Sequence, residues 1–406
     1  MAKDVEAAES LENRGERGTS VRRRTVFYIS GYDPRGASHY HRLYKTEAAK
    51  QMAINGFSPE VGPRRTVDDH ESAWTIAAAN TTTTYRFLRY DDIMRKRWSK
   101  STPAVIRDIL HYAAALLERG VFARVLRLSW PMFATIVYAP VLLLAALLIA
   151  VLAALAVAWL APWGIALAAG LAAFIGCLAL RPLIEPHSNA FWLARILSFI
   201  ADQGAGREPA IEPRIDSFAA RIARTLEDGE ADEVLVIGHS VGTQLGVCAC
   251  ARALAKVSDR RARLSLLTLG HTIPLLGLQP PATAFRAELI AVAADPRCDW
   301  IDVSAAIDSA CFPLTDPVMG CGLRQTDPAA PKPKLVSARF PKLFSPASYA
   351  VIRRDFHRAH FQYLMAAEIA GDYDYFLITA GAQTLSERFA HLASISHFNR
   401  FRLSRA

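Results

Sequence analysis

The residues around Ser240 have the pattern of an activated serine nucleophile. The motif Gly238-His-Ser-Val-Gly242 follows the apolar residues 234–237 and leads into a segment rich in small residues, 243–256. When a buried strand turns abruptly into a helix, the serine at the apex is presented to a substrate, and glycines two residues before and after it remove Cβ atoms that would collide. The spacing therefore predicts nucleophilic catalysis, with the Ser240 hydroxyl attacking an acyl carbon. His239, inside the motif, is expected to be a structural filler.

With this motif the sequence resembles the α/β-hydrolase superfamily, in which an acid and then a histidine follow the serine along the chain. The resemblance covers residues 25–65 and 210–390 and is closer to lipase- or esterase-type members than to peptidases. It does not extend to the apolar segment in between, which departs from the family as an insertion. The resemblance implies hydrolysis of an ester through an acyl-serine intermediate.

The chain order implied by the resemblance leaves two candidate acids. Asp308 lies four residues beyond a predicted strand at 300–304, where the family places the acid, and Asp316 lies on the same predicted loop. Asp308 is the preferred acid and Asp316 the alternative. Asp302, inside the predicted strand, is expected to be a strand or capping residue.

Two histidines follow at a suitable distance along the chain. His357 and His360 lie three residues apart at the predicted start of a helix, and the mainly apolar residues 361–365 come directly after them. Because that segment suits a fixed side chain, His360 is the predicted base, which takes the proton of Ser240 while the carboxylate orients the ring. His271 occurs too early in the family's order.

The negative charge of a tetrahedral intermediate requires two N–H donors. The resemblance implies the amide of Val241, just after the nucleophile, and one from the loop after the first predicted strand, residues 25–30, where Tyr32 is our choice. An ordinary Asp-Pro turn is the alternative interpretation of the loop Gly31-Tyr-Asp-Pro-Arg-Gly36. No metal site is predicted, and no cofactor is expected.

Predicted strands and helices alternate along the parts of the chain that flank the apolar segment. Strands are predicted at 81–90 and 264–269, and helices at 37–55, 211–226 and 283–294. This rhythm indicates an α/β fold, with a mainly parallel α/β-hydrolase-type sheet and helices on both faces. An amphipathic helix is also predicted from Pro103 towards Arg127.

A stretch of 53 residues, 128–180, contains no charged side chain. Because about 20 residues cross the hydrocarbon core, this stretch has room for two spans, predicted near 132–160 and 163–180 around the turn Ala161-Pro-Trp-Gly164. A buried hairpin of a soluble protein is the alternative. The predicted organisation is a disordered leader at 1–22, a hydrolase domain at 23–127 and 181–406, and a transmembrane hairpin at 128–180.

The net charge of +9 is concentrated before the apolar stretch, since residues 1–127 carry 22 Lys and Arg against 15 Asp and Glu. Arginines flank both ends of the hairpin and none lies in its turn, which predicts cytoplasmic ends in a bacterial-type inner membrane. An apolar signal peptide is not predicted, and six cysteines without a paired spacing suggest reduced thiols. No nucleic-acid-binding module is recognised, so nucleic acid is not an expected partner.

Tethering to a bilayer favours a lipid or another apolar ester as the substrate. The apolar residues 273–278 are a candidate lining for an acyl pocket, with simple core packing as the alternative. Two other functions use the same sequence features: a serine acyltransferase or thioesterase, and a catalytically inactive α/β-hydrolase that acts as a membrane scaffold. The sequence predicts no oligomeric state.

Overall fold

The computed structural model describes residues 20–185, 188–258, 263–325, 327 and 331–403. The chain forms two compact units: one comprises Met1–Asp92, Glu212–Ile273 and Ala284–Phe398, and the other Ile93–Ile211, Pro274–Thr283 and Asn399–Ala406. Most of the predicted leader, residues 1–19, lies outside the described residues. Val21, however, is buried and donates its N–H to the carbonyl of Ala382 at 2.8 Å. The folded unit therefore includes residues assigned to the leader.

The first unit is built on a mixed sheet of nine strands within the described residues. The strands are β1 (Arg23–Ile29), β2 (Glu60–Val61), β3 (Arg65–Asp68), β4 (Glu71–Ala78), β5 (Thr81–Leu88), β6 (Glu233–His239), β7 (Arg263–Leu269), β8 (Cys298–Ser304) and β9 (Lys334–Ser337). Their order is β2-β4-β5-β1-β6-β7-β8-β9, and β3 also pairs with β4. In that order, the neighbouring strands β5-β1-β6-β7-β8-β9 are all parallel. Strands β2, β3 and β5 each pair with β4 in antiparallel fashion.

The α/β class and the mostly parallel sheet are confirmed, but the antiparallel edge was not predicted. Strands β2 and β3 are short and largely exposed, so they lack the continuous apolar run that identifies a buried strand in a sequence.

The helices are, in chain order, α1 (Gly36–Asn55), α2 (Asp91–Arg97), α3 (Thr102–Glu118), α4 (Val121–Leu128), α5 (Trp130–Ala158), α6 (Trp163–Ala179), α7 (Arg181–Ile184), α8 (Ala190–Gly204), α9 (Ile211–Asp228), α10 (Gly242–Lys256), α11 (Ile273–Gly277), α12 (Thr283–Ala294), α13 (Pro317–Gly320), α14 (Phe340–Leu343), α15 (Pro346–Ile352), α16 (Phe356–Phe361), α17 (Tyr375–Ala380) and α18 (Leu385–Arg388). A 3₁₀ turn, Gln362–Leu364, follows α16 directly.

Helices cover both faces of the sheet. On one face, Tyr28 of β1 and Ile237 of β6 share an apolar core with Tyr40 of α1, because alternate residues of a strand point to the same side. On the other face α10 packs closely, since a Cβ added at Gly246 would lie 3.7 Å from Leu266 Cδ1. The sheet is therefore a buried layer between helices.

The chain changes direction between β1 and β6. After β1 it continues to β5 on one side, and after β6 it continues to β7 on the other. In open α/β sheets the carboxyl ends of two such strands diverge into a crevice, which is the usual position of a ligand site. The loop after β1 and the turn after β6 therefore meet at the place where a site is expected.

The second unit contains the apolar hairpin. Its helices α5 and α6 pack at small residues, because a Cβ at Gly170 would lie 2.9 Å from both Ala150 O and Ala154 Cβ. The segments Trp130–Ala158 and Trp163–Ile184 are each long and apolar enough to cross a membrane, by length and composition.

One side of the beginning of α5 is packed inside its unit. Tyr112 of α3 donates to the carbonyl of Ile136 at 3.1 Å, and Met132 and Ala139 are buried. Large apolar side chains are exposed from Val141 to Leu160. The helical part of this stretch, from Val141 to Ala158, is about 27 Å long, close to the thickness of a hydrocarbon core.

Two sequence-based boundaries differ from the structure. The helix predicted from Pro103 towards Arg127 is interrupted, because Gly120 has a left-handed φ of 65° and separates α3 from α4. The N-terminal part of the hydrolase domain was predicted to extend to residue 127, whereas the first chain segment of the first unit ends at Asp92. The reason is that α3 packs on α5 and α8, within the unit of the hairpin.

Candidate active site

Ser240 lies at the apex of a strained turn between β6 and α10. Its φ is 55°, in the left-handed region that residues with a Cβ rarely adopt. Its amide donates to the carbonyl of Leu269 at 3.0 Å, and its carbonyl accepts the amide of Thr243 at 3.0 Å. These two hydrogen bonds therefore hold the backbone of Ser240 in this conformation, which is the one that a strand-to-helix turn with a serine at its apex requires.

The two glycines of the motif are required by close backbone contacts. A Cβ at Gly238 would lie 2.5 Å from the carbonyl oxygen of Gly242, and a Cβ at Gly242 would lie 2.2 Å from that of Ile29. Both distances are far below van der Waals contact. The glycine spacing noted in the sequence therefore has a steric cause, and the second contact ties the turn to the end of β1.

A buried acid and base pair lies on the same unit. His360 Nδ1 is 2.9 Å from Asp308 Oδ2 and 3.0 Å from Oδ1, and both residues are 1% exposed. Because a carboxylate only accepts, the ring must donate from Nδ1, which leaves Nε2 as the basic nitrogen. Burial alone would raise the pKa of the Asp308 carboxyl, but His360 and the Ala310 amide outweigh it and hold that pKa below its ordinary value.

Two further contacts fix the Asp308 carboxylate. The hydroxyl of Tyr363 donates to Oδ2 at 3.0 Å, and the amide of Ala310 donates to Oδ1 at 3.0 Å. Gly270 lies close by with a φ of 52°, and a Cβ there would come within 3.0 Å of Asp308 and 2.9 Å of the Tyr363 ring. From the sequence, Tyr363 is expected only as part of an apolar segment that anchors the histidine, and no local pattern indicates that its hydroxyl reaches Asp308.

The structure separates the preferred acid from its alternative. Asp316 caps α13, accepting the amides of Val318 at 2.8 Å and Met319 at 3.0 Å, and its second oxygen accepts from Gln325. Asp302 is buried in β8 and accepts the Thr268 hydroxyl at 2.6 Å. The histidine is brought together with Asp308, and Asp316 serves a structural role.

The other candidate histidines have different surroundings. His357 stacks on the Phe361 ring at a centroid distance of 4.3 Å and is half-buried. His271 is fully buried after β7, with Nε2 2.9 Å from the carbonyl of Thr315. The predicted acyl-pocket loop, residues 273–278, forms α11, and its leucines are buried.

His239 contacts the candidate base, which the sequence did not indicate. Its Nε2 donates to the carbonyl of His360 at 2.9 Å, and the two ring centroids are 4.8 Å apart. Complete burial, followed by the field of His360, lowers the pKa of His239 to about 3. A neutral His239 therefore connects the turn that carries Ser240 to the segment that carries His360.

The loop after β1 reaches Ser240 at Gly31. A Cβ on Gly31 would lie 3.0 Å from Ser240 Cβ and 3.5 Å from its Oγ. Tyr32 follows at once and is buried, and the amide of Asp33 turns back to the carbonyl of Gly31 at 2.8 Å. Across the site, the amide of Val241 has no hydrogen-bond acceptor among the described residues. The two predicted N–H donors thus lie on segments that meet at Ser240.

No protein-family model, curated protein or solved structure matches this chain.

Proposed function

We propose that this chain is a membrane-anchored serine hydrolase of the α/β-hydrolase type. The observation that carries the proposal is the left-handed Ser240 at a strand-to-helix turn, in a unit that also contains the buried His360–Asp308 pair. Such backbone strain costs about 1–3 kcal/mol and is concentrated at functional sites. A serine that served only packing would not require it.

The proposed reaction is acyl transfer from an ester to water. The Ser240 oxygen attacks the carbonyl carbon while His360 Nε2 takes its proton, and Asp308 stabilises the imidazolium that forms. The amides of Val241 and Tyr32 donate to the oxyanion of the tetrahedral intermediate. His360 then gives the proton to the leaving alkoxide, and water, deprotonated by the same ring, releases the acid from the acyl-serine.

The membrane anchor supports a lipid or another apolar ester as the substrate. Strands β1 and β6 precede and follow the hairpin in sequence yet pair in register, with Phe27 opposite Val236. Both flanks of the hairpin therefore lie in one compartment, which requires an even number of spans. The arginines at both ends of the hairpin favour the cytoplasm as that compartment.

A fluorophosphonate probe tests the proposal. We expect the detergent-solubilised full chain to be labelled and to hydrolyse p-nitrophenyl esters, and Ser240→Ala to lose both activities while retaining its unfolding temperature. The matched control is Ser38→Ala, which removes an exposed serine of α1. Unlabelled wild-type protein would contradict the proposal and favour an inactive membrane scaffold.

Product analysis then separates hydrolysis from the two related reactions. Acyl transfer to added alcohols faster than to water would identify an acyltransferase, and a preference for acyl thioesters over matched oxygen esters would identify a thioesterase.

A further inference from the structure

The guanidinium of Arg35 is held in one orientation by two partners. Its Nε lies 2.9 and 2.8 Å from the two carboxylate oxygens of Asp33, and its Nη2 lies 2.6 Å from Oδ2. Its Cζ lies 5.1 Å from the centroid of the Phe361 ring, within cation–π range. Asp33 is itself buried and accepts the hydroxyl of Tyr40 at 3.0 Å. The plane of the guanidinium is therefore fixed before any ligand binds.

One edge of this guanidinium remains open. Arginine has five N–H donors, and Asp33 occupies the edge formed by Nε and Nη2. Nη1 has no acceptor among the described residues, and the Arg35 side chain is 40% exposed. The edge formed by Nη1 and Nη2 is a planar fork that matches two oxygens of a phosphate or carboxylate.

The open edge belongs to the surroundings of the proposed active site. Arg35 follows Gly31, which contacts Ser240, by four residues, and it stacks on Phe361, the neighbour of His360. Burial, followed by the charge of Arg35, lowers the pKa of His357, and Asp33 acts on the same ring in the opposite sense but less strongly.

We infer that Arg35 binds a phosphate group of the substrate beside the scissile ester, so that the substrate is a glycerophospholipid. This inference rests on the proposed hydrolase function and its membrane anchor, because phospholipids are the acyl esters of a bilayer that carry a phosphate. Arg35 would then act as a determinant of specificity, while Ser240, His360 and Asp308 perform the chemistry.

The test uses two substrates with identical ester bonds, dihexanoylglycerol 3-phosphate and dihexanoylglycerol, both below their micellar concentrations. We expect the wild-type chain to prefer the phosphate-bearing ester in kcat/KM by about 10- to 100-fold, as a charge-assisted hydrogen bond to a fixed arginine provides. Arg35→Gln should abolish the preference, and Arg35→Lys should retain part of it. Arg65→Gln, an exposed arginine of β3, is the matched control. Equal kcat/KM values for both esters in the wild type would overturn the inference.

A second variant separates recognition from bracing of the loop. Asp33→Asn removes the charge that pairs with Arg35 but keeps an oxygen that can accept from its Nε, so part of the preference for the phosphate-bearing ester should persist. If Arg35 only braced the loop, Asp33→Asn and Arg35→Gln would lower kcat/KM for both esters equally, with the wild-type ratio preserved. That result would refute recognition by Arg35.

Binding distinguishes failure of this inference from failure of the hydrolase proposal. Ser240→Ala should bind dihexanoylglycerol 3-phosphate in calorimetry, and Ser240→Ala with Arg35→Gln should bind it at least about tenfold more weakly. If the wild type neither hydrolyses the ester nor reacts with the fluorophosphonate, weaker binding by the double variant would still support a phosphate site at Arg35. Equal binding by the two variants would refute that site. Hydrolysis of the soluble phosphate ester without hydrolysis of phosphatidate in vesicles would overturn the assignment of a lipid substrate.

Discussion

His360 Nδ1 lies 2.9 Å from Asp308 Oδ2, although 52 residues separate the two in sequence and both are buried. The alternative acid, Asp316, caps the short helix α13. Of the two aspartates on this loop, Asp308 contacts His360 and Asp316 caps a helix, so substitutions at the two positions should have different effects.

Asp308→Asn should lower kcat by about 10⁴-fold, because an amide in that position favours the wrong tautomer of the histidine. Asp316→Ala should leave kcat nearly unchanged and lower the free energy of unfolding by about 1 kcal/mol, as loss of a helix cap does. Steady-state kinetics and thermal unfolding of the solubilised variants provide both values. The reverse pattern would make Asp316 the acid.

The glycines of the turn at Ser240 make a second prediction. Gly242→Ala should destabilise the protein by about 3 kcal/mol or more, because its Cβ would lie 2.2 Å from the carbonyl oxygen of Ile29, and backbone must move. Gly246→Ala in the same helix meets its nearest side-chain atom at 3.7 Å and should stabilise it by about 0.5–1 kcal/mol. Denaturant unfolding measures both. Equal effects would mean that the turn is not closely packed against β1.

The strand-to-helix turn at Ser240 could be predicted from the sequence because its steric requirements are local. Gly238 and Gly242 stand at fixed distances from Ser240, and the apolar strand and the helix follow directly. The carboxylate that contacts His360 could not be chosen from local pattern alone, because Asp308 and Asp316 lie on the same loop. Their difference depends on Tyr363 and Gly270, which reach Asp308 only in the folded chain.

The parallel strands β1, β6, β7 and β8, which are buried along nearly their whole length, were predicted from the sequence. The edge strands β2 and β3 were missed because they are short and mostly exposed, and β4 was missed although most of its residues are buried. The contact between His239 and His360 joins residues 121 positions apart, so a single sequence contains no sign of it.

His239 should make the stability of the protein depend on pH. Its pKa in the folded chain is lowered to about 3, against about 6.5 in the unfolded chain. Between these values the unfolded state binds more protons, so stability is complete above pH 6.5 and falls as the pH decreases towards 3. We expect a loss of several kcal/mol over this range, and His239→Gln, which retains an N–H donor, should remove much of that slope.

Thermal unfolding in detergent between pH 4 and 8 measures this dependence. His391→Gln is the control, since His391 is half-exposed at the surface. An unchanged slope in His239→Gln would mean that other groups determine acid stability.

The last prediction concerns the membrane topology, and it follows from the pairing of β1 with β6 across the hairpin. In a Cys177→Ser background, which removes the cysteine of α6, we expect Gly164→Cys to react with an impermeant thiol reagent outside intact cells, because the turn between the apolar helices carries no charge. The five remaining cysteines are buried and give little background. Ser20→Cys and Ser258→Cys, at exposed positions before and after the hairpin, should react only after lysis. Labelling of all three positions from outside would refute the proposed orientation. Labelling of Ser20→Cys and Ser258→Cys from opposite sides would be incompatible with a sheet that contains both flanks of the hairpin. That result would refute both the two-span hairpin and the active site shared by the two flanks.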